Sequence, residues 1–241
     1  SIEMEDPSAP PLRPHFRRQP INLADSISDQ VRAWLAHGIV QPSTSVFNSP
    51  IVMARKKNGT FRLCVDFRKL NERIRLMAFP MQHVGSLLER LRGSRYFIKL
   101  DLTSGFLQVP LTEDSSKFTA FSTSDGHYEF LRMPFGLKNS PLHFQHVMND
   151  VLRPLLHKGV EIYMDDNIVH APSLEELTAT LEKVFQLLRA HNLKLNKEKC
   201  FFGASSEIEF LGHVVSGEGV RISPGRIEAI QRLSKPTTTK E

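Results

Sequence analysis

At 241 residues the chain can form one large domain or two small ones, and its 40% hydrophobic and 24% charged content is that of a folded globular protein. No apolar run approaches the roughly 18 residues of a membrane helix, so a helical membrane span is not expected, and Ser1 opens no signal peptide. A net charge of +5 leans toward a polyanionic partner without requiring one.

A chain that begins at Ser1 rather than at methionine is expected to be a fragment or a processed product. Cys64 and Cys200 lie far apart, and neither sits in a metal-type pair. Reduced, space-filling thiols in an intracellular compartment are the natural expectation. The basic residues Arg17, Arg18, Arg55, Lys56, Lys57, Arg62, Arg68, Lys69, Arg73 and Arg75 crowd the first third, ahead of the acids that matter most.

Residues 1–20 hold five prolines and little periodicity, which predicts an extended leader. Residues 25–37 read as a helix capped by Asp25 or Ser26, with Ile27, Val31, Trp34 and Leu35 on one face and Gly38 as the stop. Ile51 to Ala54 and Phe61 to Asp66 read as strands joined by the basic turn Arg55 to Thr60. A cationic hairpin tip is a phosphate grip or a solvated turn, and in isolation the two are evenly matched. A helix is predicted over about 83–92, with Val84, Leu87, Leu88 and Leu91 as its stripe.

Arg95 to Leu102 follows as a strand. Alternation puts Tyr96, Ile98 and Leu100 on one face and Phe97, Lys99 and Asp101 on the other. Gly105 to Gln108 reads as a turn or short helix. Phe118 to Thr123 and Tyr128 to Met133 read as strands joined across Ser124-Asp125-Gly126. The loop Met133 to Pro141 leads into a helix with Ser140 at its cap, a stripe of Phe144, Val147, Met148, Val151 and Leu155, and a kink or end at Pro154. After the stretch at 161–170 comes a helix from Ser173 with Glu176 as capping partner. Leu193 to Asn196 and Lys199 to Phe202 are short strands or a connector. Glu207 to Val215 and Val220 to Ile222 are paired across Ser216 to Gly219, and a helix begins near Pro224. The order of elements is that of an α+β domain, an antiparallel sheet with helices on one face.

The stretch Glu161 to His170 reads as two short strands with Asp165 and Asp166 as the tight turn between them. From these residues alone an exposed acidic turn is the commoner outcome. Adjacent carboxylates at a hairpin tip repel, however, and a divalent cation relieves that repulsion. If the hairpin lies beside the strand ending in Asp101, three carboxylates converge on one edge. Such a cluster can hold two ions roughly 3.5–4 Å apart for in-line phosphoryl transfer, and hard oxygen ligands select magnesium, with manganese as a substitute. The basic hairpin around Lys56 and Arg62 could balance the phosphates.

Six ordered segments carry a family resemblance: Asn48-Ser49-Pro50, Arg62 to Asn71, Leu100 to Gln108, Phe130 to Pro141, Tyr163-Met164-Asp165-Asp166, and Phe210-Leu211-Gly212-His213. Together they resemble a reverse transcriptase, specifically the polymerase region of gypsy-type long-terminal-repeat retrotransposons and their retroviral relatives, from about Arg17 to the end. One Tyr-x-Asp-Asp box is weak; six motifs in order are specific. The resemblance implies a right-hand polymerase: a leader over 1–20, mainly fingers over 21–98, mainly palm over 99–222 with interleaving at about 110–140, and the start of a truncated thumb over 223–241.

It further implies Asp101, Asp165 and Asp166 as catalytic metal ligands, with the Leu102 carbonyl beside them. Lys56 and Arg62 become grips on an incoming deoxynucleoside triphosphate. Phe106 takes the place of a ring that excludes a ribose 2′-hydroxyl, and Phe135-Gly136 the nucleotide-pocket loop, with Phe135 packing rather than hydrogen-bonding. Taken bare, Phe106 is a core aromatic. Tyr163 and Met164 support the primer end, and Arg68, Asn139, Leu211 and Gly212 fall in template- or primer-side motifs.

The implied partners are a primed RNA or DNA template, deoxynucleotides, and protease, ribonuclease H and integrase regions of a larger polyprotein, with no membrane. The implied location is the cytoplasm, a virus-like particle or the nucleus. Two residues depart from the family pattern. Asn167 replaces an aliphatic residue and is expected to loosen its strand, and Met77 replaces an aspartate common before Phe79-Pro80. A decayed copy that only binds nucleic acid is the rival expectation. A metal-dependent nuclease would leave the basic motifs unexplained.

Overall fold

The computed structural model describes residues 1–12, 21–56, 59–80 and 82–232. The second part of the predicted leader, including Arg17 and Arg18, lies outside the described residues, as do Lys57 and the end of the expected thumb segment.

The chain runs through α1 (Ile21–Ala36), β1 (Val40–Pro42), β2 (Ile51–Arg55), β3 (Phe61–Val65), α2 (Arg68–Asn71), α3 (Val84–Arg90) and β4 (Tyr96–Leu100). A 3-10 turn (Gly105–Gln108), α4 (Glu113–Ser116), a second 3-10 turn (Lys117–Thr119), β5 (Phe121–Ser122), β6 (His127–Phe130) and α5 (Ser140–Val151) follow. Then come β7 (Val160–Tyr163), β8 (Asp166–Ala171), α6 (Leu174–Ala190), β9 (Phe201–Ser205), β10 (Glu207–Phe210), β11 (His213–Ser216), β12 (Gly219–Ile222) and α7 (Pro224–Gln231). These elements divide into two compact units. The first comprises 1–79 and 104–144, the second 80–103 and 145–241.

In the first unit β1, β6 and β5 form one antiparallel sheet, and β2 and β3 form a hairpin. The apolar stripe of α1, through Ile27 and Val31, packs with Leu63, Phe67, Leu70, Phe121 and Phe130. Trp34 adds ring contacts to Phe121 at 6.2 Å and Phe130 at 5.3 Å. Such aromatic packing contributes beyond the area it buries.

The second unit is built on an antiparallel sheet in the order β7-β8-β4-β9, so the chain's central strand β4 pairs with β8 on one side and β9 on the other. Leu88 and Leu91, from α3 and just beyond it, pack with Phe97, Ile168, Phe210 and Val215. Helix α6 packs along β8 and β4, and the capping box is as expected, with Ser173 Oγ accepting the Glu176 N–H at 3.2 Å.

Three local expectations change, and one left open is decided. Helix α1 begins at Ile21, so Asp25 and Ser26 lie inside it rather than at its cap. The segment before β5 is α4 and a 3-10 turn rather than strand: Thr119 is buried, its hydroxyl donating to Ser116 O at 2.6 Å while accepting the Phe130 N–H at 2.9 Å. That local bonding wins over strand propensity. Of the two alternatives for 193–196, a short strand or a connector, the connector is found, with an isolated bridge between Leu195 and Leu102. The span 207–215 is not one strand but the hairpin β10–β11, turned at Leu211 and Gly212, whose φ angles are 51° and 73°. Gly212 is the residue that makes this turn accessible.

Candidate active site

Strand register brings the three aspartates to one end of one sheet. Leu100 of β4 pairs with Asn167 of β8, so Asp101 continues opposite Asp166. Tyr163 pairs with Asp166 across β7 and β8, leaving Met164 and Asp165 as a two-residue turn. The tip is therefore Met164-Asp165, not Asp165-Asp166, and Asp166 is the first strand residue. Two-residue hairpin turns require a positive φ, and Met164 supplies it at 54°. Cross-strand neighbours on one face stand about 4.5–5.5 Å apart at Cβ, so Lys99, Asp101 and Asp166 form one surface group.

Lysines answer these carboxylates. Lys99 Nζ lies 2.6 Å from Asp166 Oδ1, and Lys199 Nζ lies 3.7 Å from Asp101 Oδ1. Asp165 has no such partner among the described ion pairs. Its burial, then repulsion from Asp101 and Asp166, pushes its carboxyl above the usual carboxylate range, and Lys199 only partly opposes this. Cys200 supports the backbone beneath: its sulfur accepts the Asp101 N–H at 3.3 Å and its thiol faces the Asp101 carbonyl at 3.5 Å. Burial pushes the Cys200 thiol up, so it remains a neutral strut.

The donor set suits a hard divalent cation. All three side chains are carboxylates, and Asp101 Oδ1 is buried with no hydrogen-bond partner in the described structure. Among the described residues no three His, Cys, Asp or Glu side chains are already gathered around a common centre. Asp101 and Asp166 instead meet lysines, while Asp165 has no partner among the described ion pairs. Leu102, expected to offer its carbonyl, is buried and bridges to Leu195.

Asn167 does not interrupt its strand, although its Oδ1 is buried without a hydrogen-bond partner in the described structure. It is 2% exposed, lies within continuous β8, and directs its amide toward Leu100 O at 3.4 Å and Asp165 O at 3.3 Å. The other residue near the turn is Gln145 of α5, whose Oε1 accepts the Met164 N–H at 2.5 Å. Tyr163 is half-buried and packs with the cluster around Phe97 and Ile168, joined there by Leu211. Gly212 lies in the β10–β11 turn, its carbonyl accepting the Ser223 N–H at 3.1 Å.

The expected nucleotide and template residues otherwise belong to the first unit. Lys56 and Arg62 are exposed on the β2–β3 hairpin, which closes through Lys56 N–H donating to Thr60 O at 2.7 Å. Arg68 forks onto Asp66 through bonds of 2.9 and 2.6 Å. The Asn139 amide is engaged by backbone, accepting from Met77 N–H at 3.2 Å and donating to Arg75 O at 2.8 Å. Met77 thus contributes through its main chain. Phe106 is buried, its ring 5.0 Å from Phe135 and 5.3 Å from Phe144, while Phe135 is 47% exposed. Gly136 takes φ 91°, which only glycine adopts readily, and its carbonyl accepts from the Asn71 amide at 2.8 Å.

Lys99, Lys199, Cys200 and Gln145 were not among the expected site residues. Lys99 had a signal, since strand alternation already put it on the Asp101 face. Gln145 had none, because its partner is 19 residues away across a helix and a loop.

Comparison with known proteins identifies the family. Residues 54–215 match the family described as reverse transcriptase (RNA-dependent DNA polymerase). The chain is 40% identical over 220 residues to the retrovirus-related Pol polyprotein from transposon 297 of Drosophila melanogaster, covering 89% of the chain and 21% of that protein. To the gypsy Pol polyprotein of the same organism it is 35% identical over 222 residues, covering 90% and 21%. It therefore spans about a fifth of these relatives. A foamy viral protease-reverse transcriptase in complex with RNA/DNA hybrid superposes with a TM-score of 0.83 at 26% identity, over 99% of this chain and 33% of that one. A related foamy viral structure in complex with double-stranded DNA gives 0.85 at 27%, over 99% and 43%.

Proposed function

Because the chain belongs to the reverse transcriptase (RNA-dependent DNA polymerase) family, we propose that it extends a primer on an RNA or DNA template by nucleotidyl transfer from deoxynucleoside triphosphates. The observation that supports this is the strand register, which puts Asp101 and Asp166 at one edge of one sheet with Asp165 in the adjoining turn. The first unit acts as fingers and the second as palm, with thumb beginning at α7.

Asp101, Asp165 and Asp166, with the Leu102 carbonyl, are the residues that would hold magnesium. When bound, the metal supplies Lewis-acid charge for the attacking hydroxyl and the departing pyrophosphate. The chain's own residues do the positioning. Cys200 and the Leu102–Leu195 bridge fix the backbone around Asp101. Lys99 holds Asp166 until a cation of higher charge competes for it. Lys56 and Arg62, exposed on a short hairpin, meet the triphosphate as charge-assisted donors. Phe106, wedged between Phe135 and Phe144, is held rigid enough to refuse a 2′-hydroxyl. Recognition through the template backbone leaves base sequence unread, as copying requires, and makes binding fall with salt.

The test is primer extension on an oligo(dT)-primed poly(rA) template with magnesium, comparing the protein with its Asp165→Asn variant. Incorporation that vanishes in the variant supports polymerisation. Equal incorporation by both refutes the assignment of Asp165, and template binding without incorporation by either supports a decayed, binding-only copy.

A further inference from the structure

The Met164-Asp165 turn carries an unusual burden. A methionine sits in the left-handed region at φ 54°, in a tip where glycine or asparagine is the ordinary choice. The neighbouring carboxylates repel one another, and β7 is an edge strand whose outward side is bridged, among the described residues, at Val160 by Leu156 and by no further strand. The local hydrogen bond at this tip runs from the Asn167 amide to Asp165 O at 3.3 Å, and it leaves the Met164 N–H without a partner nearby in sequence.

Gln145 supplies what is missing. It projects from α5, is 2% exposed, and its single carboxamide meets both sides of Tyr163. Oε1 accepts the Met164 N–H at 2.5 Å, and Nε2 donates to Ile162 O at 3.2 Å. These are bonds of the kind an adjacent strand would make to the free edge of β7. Nε2 also donates to Asn149 Oδ1, one helical turn along, at 2.8 Å. The three partners define the amide's orientation. If it were flipped, an NH₂ group would face the Met164 N–H and an oxygen would face the Ile162 and Asn149 oxygens.

We propose that Gln145 is a positioning residue for nucleotidyl transfer: keyed by Asn149, its carboxamide holds Met164 left-handed and thereby presents Asp165 beside Asp101 and Asp166. This rests on the three aspartates being the metal ligands. The clamp acts on the turn's backbone, so it sets where the carboxylate stands. Substitution of residues that orient ligands in this manner typically weakens metal affinity or activity by about 10–100-fold.

The experiment compares the protein with Gln145→Met, which matches volume but cannot bond, and with Asn149→Ala, which leaves Gln145 in place but removes the group that orients it. Three quantities are read: hydrogen exchange at the Met164 amide, Mn²⁺ affinity by electron paramagnetic resonance without nucleic acid, and steady-state primer extension. Gln145→Met is expected to speed Met164 exchange and weaken Mn²⁺ binding, each by about tenfold, and to lower kcat with the nucleotide KM within about twofold. Asn149→Ala is expected to shift all three in the same direction by less, and it decides the matter alone if Gln145→Met does not fold. Met164 exchange and Mn²⁺ affinity equal to the parent's in whichever variant folds overturn the proposal, even if melting temperature falls. If the parent binds no Mn²⁺ while its Met164 amide depends on Gln145, the metal assignment fails and the clamp stands.

Discussion

Replacing Lys99 by methionine removes the cation that Asp166 meets at 2.6 Å, while keeping the aliphatic stem against β8. Lys99 and Asp166 side chains are 30% and 36% exposed, so the pair is screened by solvent and belongs with partly exposed ion pairs, worth about 0.2–1 kcal/mol. A metal at Asp166 must displace that ammonium and endure its charge, so the pair's energy is subtracted from metal binding. Its removal should lower the Mg²⁺ concentration for half-maximal primer extension by about two- to fivefold. It should also cost the metal-free protein less than about 1 kcal/mol, a fall of roughly 2–4 °C in Tm for a chain of this size. The assay is a Mg²⁺ titration of initial extension rate, paired with calorimetry in chelator. A half-saturation that rises or stays unchanged would show that Lys99 does not compete with the metal, and would refute the electrostatic reasoning at this edge.

Elsewhere the Glu161 carboxylate is fully buried, between Arg90 Nε at 3.0 Å and His157 Nδ1 at 2.9 Å. Arg90→Met should therefore destabilise by about 2–4 kcal/mol in urea unfolding, and adding Glu161→Gln should recover part of that loss; no recovery would mean the cost is lost packing rather than stranded charge. His170, buried and hydrogen-bonded to Ser94 at 2.8 Å, is held down to about 4, chiefly by burial and then by Arg90. Its unfolded form takes up a proton below about 6.5 and its folded form does not, so its contribution is whole above that pH and is lost as pH falls toward 4, on the order of 3 kcal/mol. His170→Gln should flatten the stability profile over that interval in denaturant titrations. A Cβ added to Gly105 would sit 2.7 Å from the buried Phe144 ring, so Gly105→Ala should cost about 1–3 kcal/mol and disturb Phe106, seen as a lower discrimination between deoxy- and ribonucleotides.

Strand alternation and turn chemistry exposed much of the site from sequence. Asp101 at a strand end, the aspartate hairpin and the Ser173 cap rest on interactions within a few residues, and the structure reproduces them. The turn itself was read one residue late. Aspartate is the better turn former, but pairing Tyr163 with Asp166 forces the left-handed position onto Met164. What tolerates that conformation is Gln145, which no local pattern reveals. The partners of Asn167 are equally hidden from local pattern. A polar residue in a buried strand looks disruptive until the carbonyls of Leu100 and Asp165 are found within reach of its amide. The β10–β11 turn was legible in principle, since Gly212 marks it, but the apolar run on either side masked the break. Lys99 was placed on the right face and given no role, because its partner arrives from β8 only when the sheet forms.

The most direct measurement is single-turnover incorporation by Asp101→Asn, Asp165→Asn, Asp166→Asn and the triple variant, each checked for folding by its melting curve. If the three carboxylates act as one metal-bearing unit, each single substitution brings the rate down to that of the triple, and further changes add nothing. Single variants that keep measurable rates, with losses that multiply in the triple, would contradict a shared catalytic centre at this sheet edge.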